Sequence, residues 1–117
     1  MPLAVTINNV DVTQDSLLVR GTLVASGSYV AGGDTLDFSA KGDLPVSIAP
    51  RDVFIHGVAG FVYEFVRGTT LANSKVKVRV DGAGGVNVAL GEHTAVAYVA
   101  GVTGDTITFL AIFDKLL

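Results

Sequence analysis

The chain contains neither cysteine nor tryptophan. Without a thiol there is no disulfide framework, no thiolate zinc site and no cysteine nucleophile, so stability must come from packing and assembly. Without tryptophan, the carboxylate pairs Asp11 with Asp15 and Asp34 with Asp37 lack the aromatic surround of a sugar-cleaving site, which argues against glycoside hydrolysis. Charge is scarce too: 16% of residues are charged, against roughly 25% in ordinary soluble domains. A formal charge of -3 argues against nucleic acid as a main partner, since phosphate neutralisation needs a concentrated basic surface. Long apolar runs are missing as well, and none approaches the ~20 residues of a spanning helix, so no membrane partner is expected. The opening MPLAVTINNV has no basic stretch leading into an apolar one, and the expectation is a product of the cytoplasm.

Half of the residues are apolar and the mean hydropathy is +0.55. With 117 residues and no linker-like tract, the expected organisation is one all-β domain over 1–117, with 1–15 a candidate N-terminal arm. A domain of this size keeps roughly a third of its unfolded surface exposed, and this chain has few charges to cover it. Apolar surface hidden by a partner is therefore expected, either copies of the chain or a larger assembly.

Valine is the commonest residue, and apolar positions alternate with period two in short runs separated by Gly, Asn, Asp and Ser. Helical periodicity is absent; even 95–100 reads as a strand, because Val96, Tyr98 and Val99 favour extended backbone. In the first half, strands are expected at 4–10, 17–26, 35–40 and 53–58, with Pro45 and Pro50 bracketing a loop or edge. The second half reads as a β-meander. Pairing Val66 with Lys75 sets Glu64 opposite Lys77 on one face and Tyr63 opposite Val78 on the other. Both faces then match, and a one-residue slip would invert them. DGAGG at 81–85 turns the chain into Val86, Val88 and Leu90; Gly91 to His93 turn it into 94–100, and GVTGD into 106–113. The expected fold class is all-β: an antiparallel β-sandwich or small barrel, jelly-roll-like among the options, with a C-terminal β-meander.

Gly-Asp-Thr, aliphatic, any residue, Phe occurs twice, at 33–38 and 104–109. Asp34, Asp37 and Asp105 are hard oxygen ligands, but no spacing gives a calcium loop, and Gly-Asp before a strand is ordinary turn chemistry. His56 falls on the strand face opposite Val53 and Ile55, while His93 sits in a turn beside Glu92. No G-x-S-x-G elbow or H-E-x-x-H helix positions either of them, and DGAGGV matches no phosphate-binding loop. The expectation is a protein without enzymatic activity, metal or cofactor. Lys75, Lys77 and Arg79 form a basic row on one strand face, read either as a solvated or protected edge or as a docking row for an acidic partner.

Three runs carry a family likeness: GTLVASGSYVAGGDTLDFSA (21–40), GFVYEFVRGTTLANSKVKV (60–78) and AVAYVAGVTGDTITFLAIFDKLL (95–117). Together they resemble the small β-rich structural proteins of tailed bacteriophages, and in length and texture the capsid cement or decoration class. The resemblance implies a virion protein made in the host cytoplasm that binds the outer surface of an assembled head. Its expected partners are the major capsid protein of the phage head and itself as a homo-oligomer, trimer or dimer. Fibre or tail accessory proteins and host-glycan-binding β-modules remain the alternative. Candidate contact residues are the basic row Lys75, Lys77 and Arg79, together with Phe113, Leu116 and Leu117 of the apolar C-terminal end.

Overall fold

The computed structural model describes residues 3–39, 46, 48–80, 91–93, 97–98 and 100–114. Eight strands and one helical turn follow in the order β1 (Leu3–Val12), β2 (Ser16–Ala25), β3 (Asp34–Leu36), β4 (Asp52–His56), β5 (Val62–Val66), β6 (Ser74–Val80), β7 (Gly91–Glu92), α1 (Ala100–Thr103) and β8 (Ile107–Asp114). They build two antiparallel sheets packed face to face, a β-sandwich rather than a closed barrel. Sheet one has the order β1-β2-β8-β4; sheet two has β3-β6-β5, with β7 beside β3 on the same flank of β6.

Local chemistry accounts for the turns. Thr13 closes the β1–β2 hairpin, its hydroxyl accepting from Ser16 N–H at 3.0 Å and donating to Ser16 O at 2.9 Å. Between β5 and β6, Asn73 Oδ1 accepts the N–H groups of Thr69 and Thr70, both at 2.8 Å, the turn-forming role that suits Asn in such loops. Gly21 permits an unusually close strand approach: a Cβ there would lie 1.9 Å from the Thr6 carbonyl oxygen. Directly across from this point the β1 register shifts between Ile7 and Asn9, a β-bulge at Asn8.

The meander register is present as expected, with Val66 opposite Lys75, Glu64 opposite Lys77 and Tyr63 opposite Val78. The strand expected after it departs from the meander. β8 crosses to sheet one and inserts between β2 and β4. The expected strand over 94–100 is reduced, among the described residues, to a bridge between Ala97 and Ser28. GVTGD is a helical turn, closed by Gly104 N–H to Ala100 O at 3.0 Å, rather than a hairpin loop. The expected strand at 86–90 lies outside the described residues. The expected arm at 1–15 is a paired strand for most of its length, since β1 is hydrogen-bonded to β2 from Leu3 to Val12.

The core forms where inward positions of both sheets meet, among them Leu17, Val19 and Leu23 of β2, Ile107, Phe109 and Phe113 of β8, and Val76 and Val78 of β6. Phe38 stands edge-on to Phe109 at 5.5 Å and to Phe113 at 5.3 Å, the aromatic geometry that adds to simple area burial. Phe113 is therefore a core residue with no exposed surface, which corrects the expectation that it reaches a partner.

Candidate functional site

The aspartates of the repeated phrase have separate partners. Asp34 is buried and accepts hydrogen bonds from the Val30 N–H at 3.2 Å and from the Tyr98 hydroxyl. Asp105 accepts the Val58 and Ala59 N–H groups at 2.9 and 3.0 Å and the Tyr63 hydroxyl at 2.6 Å. Asp37 accepts both the N–H and the hydroxyl of Ser39. Among the described residues no cluster of His, Asp and Glu could hold a metal ion. The turn reading holds for Asp34 and Asp37, which accept N–H groups within four residues, whereas Asp105 ties the 58–59 segment to the start of β8; Asp34 and Asp105 each add a tyrosine.

The third tyrosine repeats the arrangement. Tyr29 donates to Glu92 Oε2 at 2.6 Å, and the same oxygen accepts the Gly32 N–H at 2.6 Å. All three tyrosines of the chain thus donate to carboxylates 42 to 64 residues away. Two of these clasps meet at His93, which is buried with its ring 5.2 Å from Tyr29 and 5.3 Å from Tyr98. His93 N–H donates to Val78 O at 2.7 Å, so this histidine follows β7 into the interior rather than sitting in a surface turn.

These pairs shift the titration of their members. Burial pushes the phenols of Tyr29, Tyr63 and Tyr98 well above their ordinary value, and the hydrogen bonds to Glu92, Asp105 and Asp34 push the same way. The Tyr29 hydroxyl, then the Gly32 N–H, hold Glu92 below the usual carboxylate range. Burial would raise Asp105, but the Tyr63 hydroxyl and the Val58 and Ala59 N–H groups outweigh it and hold that carboxyl low. Raised phenols stabilise the fold below about pH 10, and that stabilisation is lost as pH climbs through their folded values. Lowered carboxyls stabilise it above about pH 4, with loss as pH falls through theirs. The expected result is a phenolate absorbance that stays flat through the ordinary phenol range and then rises in one step together with unfolding. Gradual titration of any one tyrosine near pH 10 in the folded protein would contradict the clasp assigned to it.

The basic row lies on the outer face of sheet two, with Lys75 exposed and Lys77 and Arg79 half-buried. It is matched within its own sheet. Arg79 pairs with Glu64 at 3.4 Å, Glu64 faces Lys77, and Glu92 stands opposite Arg79. Two carboxylates facing three cations leave the row partly compensated, with Lys75 opposite Val66 and Thr35, which weakens its field for an acidic partner. Leu116 and Leu117 lie outside the described residues.

The outer face of sheet one is different in kind. Its cross-strand rows are Asp11, Leu18, Ile112 and Asp52; then Asn9, Arg20, Leu110 and Phe54; then Thr6, Thr22, Thr108 and His56. A groove of about 450 Å³ runs over β2, β8 and β4 in the second and third rows. Phe54, 57% exposed, stands in it. His56 shares this face, as its alternation with Val53 and Ile55 requires. The same alternation puts Phe54 beside it, which is the sequence signal for the groove. A second signal is the unbroken apolar run from Phe109 to Phe113, which gives β8 apolar side chains on both faces.

Comparison with known proteins returns no matching family, no similar curated protein and no similar solved structure.

Proposed function

We propose that the chain is a non-enzymatic structural subunit of a virion, a capsid cement or decoration protein that binds and stabilises an assembled phage head through oligomer and capsid interfaces. The observation that carries this reading is the state of the β1 edge. Val10 and Val12 pair with Val19 and Leu17, so they sit on the core-facing side of sheet one, yet they are 37% and 64% exposed. The strand has ten residues, none of them lysine or proline, the usual guards of a free edge. The bulge at Asn8 and the charge of Asp11 interrupt this edge, but Val10 and Val12 beside them leave apolar surface that invites contact with another chain. On the opposite flank Val58 and Val62, at the approach to β5, are also exposed. Two apolar edges on one small domain are suited to lateral contacts in a closed oligomer or a shell lattice, where symmetry multiplies weak contacts into strong attachment. The subunit would lie on the outer capsid surface, contact the major capsid protein, and need no cofactor.

Electron microscopy of the particles that incorporate the chain tests this directly. Density for the protein at regular positions over the head supports the reading. Density confined to fibre or tail assigns it to those accessory classes instead, and absence from the particle overturns it.

A further inference from the structure

The groove opens on the outer face of sheet one, whereas Val10 and Val12 of the β1 edge lie on its core-facing side. Phe54 offers an exposed aromatic face, with the half-buried side chain of Leu110 beside it as floor. Around them stand an amide from Asn8, a hydroxyl from Thr108, the imidazole of His56 and the guanidinium of Arg20, and these four residues are exposed. Asn8 lines the groove through the β-bulge, and Gly21 opposite lets β1 and β2 approach closely there. Bulges recur where a strand must re-aim one side chain. The volume falls within the roughly 300–1,000 Å³ of small-molecule sites.

The charge of the groove selects the ligand. In a chain with a formal charge of -3, the lining contains Arg20 and His56 and no carboxylate. Arg20 is held by Asp11 through one Nη1 contact at 3.6 Å, with both side chains about half exposed. A pair so long and so wet is worth little and leaves most of the five guanidinium donors for another acceptor. A carboxylate can take that planar fork with two parallel hydrogen bonds. The amide and hydroxyl rim suits a ligand carrying several hydroxyls, and the Phe54 ring suits a flat apolar face on it.

We infer that this groove binds an acidic saccharide, with a uronic acid carboxylate on Arg20, sugar hydroxyls on Asn8, Thr108 and His56, and a ring face on Phe54. This goes beyond the assembly role and does not depend on it. It would let a particle bearing many copies hold an acidic polysaccharide surface through summed weak contacts.

The test titrates the isotopically labelled full chain with a hyaluronan tetrasaccharide, which carries glucuronate, and with neutral chitotetraose, following backbone amide signals. The expected result is shifts at Arg20, Phe54 and Leu110, with the acidic sugar bound about tenfold more tightly than the neutral one, the scale of one charge-assisted fork. Arg20→Gln should abolish that preference, and Phe54→Ala should weaken both sugars; both side chains are exposed, so the amide spectrum should stay that of the folded protein. Absence of binding, equal affinity for the two sugars, shifts only outside the groove, or a preference that survives Arg20→Gln would overturn the assignment.

Discussion

Replacing Phe113 with alanine is expected to lower the unfolding free energy by about 4 kcal/mol, the usual cost of emptying a large aromatic site in a packed core. Phe113 has no exposed surface and meets Phe38 edge-on at 5.3 Å. It lies on β8, opposite Leu17 of β2, at the centre of sheet one. The hole would be lined by residues fixed in two sheets and could not collapse easily. Against a typical domain stability of about 5–15 kcal/mol, this is a large fraction, visible as a drop in denaturation midpoint at unchanged slope. A C-terminal contact residue would behave oppositely. Its loss would leave the isolated chain as stable as before and would weaken only attachment to a partner.

The second large effect is expected from Tyr98→Phe, at about 3 kcal/mol, the upper range for hydrogen bonds to charged groups. The ring and its packing against Tyr29 and His93 are kept, and only the hydroxyl is lost. Asp34 is then left buried with the Val30 N–H as its remaining described donor. Tyr63→Phe deletes the same atom at about 1 kcal/mol, because Asp105 keeps two backbone N–H donors and is partly open to water. Chemical denaturation of the two variants side by side measures the difference. Equal small losses would mean that the Asp34 clasp is not buried as described.

The contrast between those two clasps shows what could and could not be read from the chain. The β5–β6 register was legible because it is local, and the two faces test each other: Glu64 meets Lys77 only when Tyr63 meets Val78. The all-β class was legible for the same reason, from period two and from turn residues, while the choice of sandwich over small barrel came from the sheet order. The destination of β8 was not. An apolar run on both faces says that a strand is central, but nothing in 107–114 says that its neighbours are β2 and β4. The tyrosine clasps span 42 to 64 residues and leave no spacing signature, so the aspartates were recognisable as turn formers and their phenol partners were not. Phe113 misled because position near a terminus suggests reach, whereas its alternation with Ala111 and Phe109 already placed it on the inner face of β8. The basic row was visible as a row; that Glu92 of β7, thirteen positions beyond Arg79, stands opposite it was not.

Assembly through apolar edges is the claim on which the functional reading rests, and the mass of the protein in solution tests it most directly. Light scattering on the purified chain should give a multiple of 12.1 kDa, a dimer or a trimer, and Val10→Glu with Val12→Glu should return it to the monomer mass while the circular dichroism of the fold is retained. A wild-type chain that stays monomeric as concentration rises, with Val10 and Val12 left in water, would contradict the account.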